Sequence, residues 1–162
     1  MIRVPAEVER SFMLPASPEA AYAALRDVPT WAALFPGVEA IEPLAPDVWQ
    51  WEMEPMGPPA VQVRTIYACR YTFDDETRTV AWAPEPGVGN ATFEGAVTLA
   101  PEAGQAPEAS GGTCSGALWL EATLEVPAPR FVAGVVKAAI GVAFGQMTDR
   151  FLDRLAEHVR TV

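Results

Sequence analysis

Histidine is nearly missing from this chain. Its single copy, His158, sits near the C-terminal end, and the two cysteines, Cys69 and Cys114, lie 45 positions apart with no Cys-x-x-Cys. Zinc and iron sites need several such ligands at short spacing, so no metal site and no cofactor are expected. With no histidine to pair with a serine or cysteine, a common catalytic triad is excluded and no catalytic residue is assigned. The cysteines read as buried, reduced thiols.

Positive charge is scarce as well. Eleven Lys and Arg face 21 Asp and Glu, a formal net charge of −10, so DNA, RNA and anionic lipid headgroups are repelled on average. Nucleic acid is not an expected partner. Long hydrophobic runs are also lacking: the longest, 131–145, covers about 15 residues, is interrupted by Lys137, and falls short of the roughly 18 to 20 that cross a bilayer. The opening MIRVPAEVER lacks the apolar core of an export signal. A cytoplasmic protein without stable membrane insertion is the expectation.

What the chain does have is apolar surface in register. Half of its 162 residues are hydrophobic, enough for a single domain over 1–162 that buries about two-thirds of its unfolded surface. Val8, Arg10, Phe12 and Leu14 alternate with Glu7, Glu9 and Ser11, which predicts a strand. In SPEAAYAALRD, Ser17 is placed to cap a helix, Pro18 to open it, and Glu19 to meet the positive end of its dipole. Pro29 closes that helix and Thr30 caps a second, of little more than a turn, over Trp31 to Phe35.

From there the pattern is β-like, broken at 55–59, 74–77, 84–90 and 101–112 by Pro, Gly and acidic turn formers. Six strands are expected in a meander, at roughly 38–45, 48–54, 60–73, 77–83, 90–100 and 113–126. Trp49, Trp51 and Met53 alternate with polar neighbours. So do Val61, Val63, Tyr67, Cys69, Tyr71 and Phe73, and farther on Phe93, Val97 and Leu99, then Leu118, Leu120, Leu124 and Val126. The sheet therefore has one dry face and one wet face. After Pro129 the period changes to about 3.6, with Val132, Val136, Ile140, Phe144, Met147, Phe151 and Leu155 forming the stripe of one long helix that covers the dry face. The segment 101–112 reads as a long hairpin loop.

A strand, two short helices, six more antiparallel strands and a long C-terminal helix make an α+β chain that resembles the START-like SRPBCC superfamily. That superfamily includes polyketide cyclases/aromatases, pollen-allergen-type carriers and a group associated with carbon monoxide dehydrogenase. The resemblance rests on SPEAAYAALRD, on WAALFPGV, on Phe93-Glu94-Gly95, on Gly112-Thr113 and on the closing MTDRFLDRL. It implies the helix-grip fold: a seven-stranded curved antiparallel sheet wrapped around the long C-terminal helix, with a cavity between them. By the same analogy Trp31, Leu34 and Phe35 are structural anchors beside that cavity.

A cavity here would be lined by Trp51, Met53, Val63, Thr65, Tyr67, Tyr71, Trp82, Phe93, Leu118, Leu120, Val136, Ile140, Phe144 and Met147. Gly134, Gly141 and Gly145, among small neighbours on the long helix, either leave it volume or allow close helix-on-sheet packing. Arg10 either faces the pocket as its polar anchor or snorkels out at the sheet edge. Trp119 falls in the wet phase, where a bulge, a covered outer face or a homodimer contact would account for it. Three functions stay open. They are binding or carriage of a hydrophobic small molecule (lipid, isoprenoid or aromatic polyketide), a cyclase, aromatase or dehydratase acting without a metal, and a protein-interaction or assembly module.

Overall fold

Alternation along the strands becomes one buried face. In the last strand Cys114, Gly116, Leu118, Leu120, Ala122, Leu124 and Val126 are buried, while the residues between them are not. The computed structural model describes residues 1–56, 59–60, 62–102 and 112–160. Its elements run β1 (Ile2–Leu14), α1 (Pro18–Arg26), α2 (Val28–Ala32), β2 (Val38–Ala45), β3 (Val48–Met53), β4 (Ile66–Asp74), β5 (Thr79–Pro84), β6 (Ala91–Pro101), β7 (Cys114–Val126), a turn of 3-10 helix (Arg130–Val132) and α3 (Ala133–Arg160). The strands form a seven-stranded antiparallel sheet in the order β1-β7-β6-β5-β4-β3-β2. β2 to β7 are a meander, and β1 pairs along its whole length with β7, from Ile2 opposite Val126 to Leu14 opposite Cys114.

α3 lies on the dry face. Val136, Ile140, Phe144, Thr148, Phe151, Leu155 and Val159 are its buried residues, each three or four positions from the next, as one face of a helix requires. Full burial of a side chain such as Phe151 or Leu155 contributes about 1.5–3 kcal/mol. The opposite side of its first half is open: Val135 and Val142 are 66% and 61% exposed, and Phe131, in the 3-10 turn before it, is 88% exposed. By length and composition the stretch Arg130–Arg160 is long and apolar enough to cross a membrane, which corrects the reading from run length; here its buried stripe packs on the sheet.

α1 follows the expected start, with Ser17 Oγ accepting from Ala20 N–H at 3.2 Å. α2 does not. It begins at Val28, three residues earlier than expected, and Pro29 sits in its first turn, where a missing N–H leaves no bond unmade. Thr30 Oγ1 donates to Asp27 Oδ2 at 2.7 Å rather than capping a later helix. The N–H groups of Leu34 and Phe35 bond the carbonyls of Trp31 and Ala32, carrying the turn on until Gly37, at φ +83°, redirects the chain into β2.

β4 also starts later than the expected 60–73 strand. Ahead of it Met53 N–H donates to the Thr65 carbonyl at 2.9 Å, and Met56 and Val63 exchange one reciprocal pair. Pro55 and Pro59 have no N–H to extend that ladder. Val61 and most of the expected 101–112 loop lie outside the described residues. Trp119 is on the outer face of β7, between Glu9 of β1 and Ala96 of β6, and is 38% exposed.

Candidate functional site: an aromatic cavity between sheet and helix

Strand register brings the rings together. Trp51 on β3 stands opposite Tyr67 on β4, Tyr71 opposite Trp82 on β5, and Trp82 opposite Gly95 on β6. The Trp51 and Tyr67 rings stack at 5.7 Å and 15°, and Tyr67 stacks on Phe93 at 3.9 Å. From above, α2 inserts Trp31, whose ring lies 5.4 to 6.0 Å from those of Trp51, Tyr71 and Trp82. Phe35 stacks on Phe151 of α3 at 4.0 Å and 6°, and Phe144 of α3 meets Phe93 at 5.9 Å.

These rings surround a cavity whose volume, measured for the centre of a water molecule, is about 40 Å³. It is lined by Trp31, Phe35, Trp51, Met53, Met56, Thr65, Tyr67, Cys69, Tyr71, Trp82, Phe93, Leu120, Phe144, Met147 and Thr148. No charged side chain is among them. The expected void is much reduced: space of this size admits a few water molecules, because the aromatic side chains fill what the curved sheet encloses. Met53, Met56 and Met147 are the adaptable parts of the wall, since an unbranched thioether side chain changes shape cheaply.

Polar groups in the wall are few and mostly paired. Trp51 Nε1 donates to Tyr71 Oη at 2.8 Å in a buried bond. Thr148 Oγ1 donates to the Phe144 carbonyl at 2.9 Å, and Cys69 Sγ to the Phe93 carbonyl at 3.4 Å. Among the described residues two buried polar side-chain atoms have no partner, Trp31 Nε1 and Thr65 Oγ1. Burial pushes the Tyr67 hydroxyl well above its ordinary range and does the same to Tyr71, against a smaller opposing effect of the Trp51 hydrogen bond. Burial also raises the Cys69 thiol to about 12. All three stay protonated at neutral pH and do not serve as bases.

Of the expected lining residues, Trp51, Met53, Thr65, Tyr67, Tyr71, Trp82, Phe93, Leu120, Phe144 and Met147 border the cavity. Five do not. Arg10 is directed to the rim, where its Nε donates to Asp149 Oδ1 of α3 at 2.7 Å and its Nη1 to the Glu9 carbonyl; this bond holds the Asp149 carboxyl below its usual range. Leu118 borders a smaller adjoining gap with Leu25, Val80 and Val97. Val63 is buried beside Met56, and Val136 and Ile140 pack farther along the helix as solid core.

The glycine reading is corrected too. A Cβ on Gly134 or Gly141 would meet nothing within 4 Å, and one on Gly145 would approach only Arg10 Nη2, at 3.5 Å; none of the three gives the cavity room. Conversely, Trp31 and Phe35, read as anchors, are part of the wall, as are Met56, Cys69 and Thr148. Cys69 had a signal, lying in phase between Tyr67 and Tyr71, and so did Thr148, four residues after Phe144. Among the described residues no group of three His, Cys, Asp or Glu could hold a metal ion.

The family described as "Polyketide cyclase / dehydrase and lipid transport" matches residues 5–160. No curated protein sequence matches the chain. Among solved structures it is similar to a Thermus thermophilus protein, at 21% identity and a TM-score of 0.67 over 96% of this chain and 97% of that one. It is similar to a START superfamily protein from Mycobacterium smegmatis, at 16% identity and a TM-score of 0.60 over 96% and 97% of the two chains. The Zhui aromatase/cyclase of Streptomyces is also similar, at 12% identity and a TM-score of 0.63 over 96% and 94%. At such identities these likenesses establish a shared helix-grip fold.

Proposed function

The chain belongs to the polyketide cyclase/dehydrase and lipid transport family, and from that premise we propose that it binds a hydrophobic small molecule in the cavity between the sheet and α3. The observation that carries this reading is the wall itself: eight aromatic rings converge on one space with no charged group among its lining residues. A core built only for stability has no need of them all, since aliphatic side chains would fill the same layer. Entry of a ligand requires the wall to open, and the methionines at 53, 56 and 147 are its lining side chains that change shape most cheaply.

Binding rather than catalysis is the better reading. The ionisable side chains in the wall are Tyr67, Tyr71 and Cys69, and each is held in its protonated form by burial. Nothing in the wall is poised to accept a proton at neutral pH. The similarity to the Zhui aromatase/cyclase is one of fold alone.

Native mass spectrometry of the purified protein, followed by denaturing extraction, tests the proposal. The expected result is a reproducible extra mass that is released on unfolding and identified as an uncharged apolar compound. A bare protein mass, together with no response of tryptophan fluorescence to any apolar probe, would sink it.

A further inference from the structure

Trp31 Nε1 and Thr65 Oγ1 stand out because both are buried, both belong to side chains lining the cavity, and neither has a hydrogen-bond partner among the described residues. Trp31 is 5% exposed and Thr65 1%. Trp51, Tyr71, Cys69 and Thr148 of the same wall are bonded to one another or to backbone, Trp51 to Tyr71, Cys69 to Phe93 and Thr148 to Phe144. Leaving a buried donor unpaired is unfavourable, and native proteins do so rarely. A residue chosen only to fill the space at 65 would be valine, which has threonine's shape without its hydroxyl.

We propose that these two atoms are the polar anchors of the cavity, and that they select an uncharged, oxygen-bearing aromatic ligand over a hydrocarbon of the same shape. This rests on the cavity's being a binding site. The indole N–H is a donor only, so the ligand atom it meets is an acceptor, a carbonyl, ether or phenolic oxygen. The Thr65 hydroxyl donates or accepts and takes a second polar atom. The two lie along one run of rings: Trp31 packs on Trp51, Trp51 stacks on Tyr67, and Tyr67 is two residues from Thr65. A flat molecule bound beside that run would be placed to reach both anchors. A carboxylate or phosphate headgroup does not fit, because no charged side chain in the wall would pair with it.

Phenol and toluene separate this inference from the reading it rests on, since they differ by a hydroxyl in place of a methyl. Transfer out of water alone favours toluene. In calorimetric or NMR titrations, phenol should nevertheless bind the wild-type protein at least as tightly as toluene. Phenol carries one polar atom, so at least one of Thr65→Val and Trp31→Phe, the one whose anchor that oxygen meets, should weaken phenol by about tenfold, the factor given by about 1.4 kcal/mol, and leave toluene unchanged. Thr65→Val is the safer variant, since it keeps the side chain's shape and should not unfold the domain. If toluene binds more tightly than phenol, or if both variants keep phenol's affinity, the anchors are refuted and the cavity stands. If neither probe binds at any soluble concentration, the cavity reading falls and this inference with it.

Discussion

Trp82 lies so closely over Gly95 that a Cβ on the glycine would stand 2.8 Å from its Cζ2 and 2.4 Å from the carbonyl oxygen of Trp119. The indole occupies the place a side chain would take, and this brings Trp82 down onto the sheet within reach of Trp31 and Tyr71. The Phe93-Glu94-Gly95 stretch thus contributes twice to one wall: Phe93 as a ring and Gly95 as the space for another.

Gly95→Ala should therefore destabilise the protein by about 1–3 kcal/mol, the ordinary cost of overpacking. One of the two clashing atoms is backbone and cannot rotate away. Urea denaturation followed by circular dichroism reads the loss, and the emission of Trp82 should shift as its ring is lifted. An alanine variant with the wild-type midpoint would show that the sheet has slack at this point.

The bond from Trp51 Nε1 to Tyr71 Oη makes a second prediction. Tyr71→Phe leaves the indole N–H buried without an acceptor, which should cost about 1–3 kcal/mol. Adding Trp51→Phe removes the stranded donor, so the double variant should lose less than the sum of the two single variants. Additive losses would mean that the two residues contribute only as separate rings.

Period was legible in the sequence, and depth was not. Alternation at 49–53, 67–73 and 118–126 marks the dry face, and the three- and four-residue steps from Val136 to Leu155 mark the helix that covers it. Phase says which face a side chain leaves from, but not how far along the strand its cover reaches. Arg10 has the inward phase, yet its partner is Asp149, 139 residues away, at the rim where α3 and β1 meet. The volume of the cavity was equally out of reach, because it depends on how the rings tilt against one another. The glycine positions were legible too: at about 100° per residue, Gly141 and Gly145 each stand one step off the Ile140 and Phe144 stripe, away from the cavity and toward the rim where Gly145 meets Arg10 of β1.

Alkaline pH should unfold the protein earlier than its net charge suggests. Burial raises the Cys69 thiol from 9.0 to about 12 and the Cys114 thiol from 9.0 to about 11, and burial with the bond to Asp75 raises Tyr22 from 10.0 to about 12. Tyr67 and Tyr71 move in the same direction. Below about pH 8 these groups are protonated in both states, and their contribution to stability is fully present. Above it the unfolded chain gives up protons that the fold retains, so stability falls with rising pH through about 12. The urea midpoint should drop between about pH 8 and 11. A flat midpoint across that window would contradict the burial of these hydroxyls and thiols.

Gly141 gives the last prediction. It lies inside α3 with no atom within 4 Å of its would-be Cβ, so alanine there meets no clash and narrows the freedom of the unfolded chain. Gly141→Ala should stabilise the protein by up to about 1 kcal/mol, and the affinities for phenol and toluene should stay as they were, since the position borders no part of the cavity. The melting temperature and the two titrations check this together. A gain in stability with unchanged binding would leave this glycine no role in the isolated chain. A loss of stability would place the residue under packing that the fold as described does not contain, and a change in probe affinity would mean that this turn of α3 moves when the cavity fills.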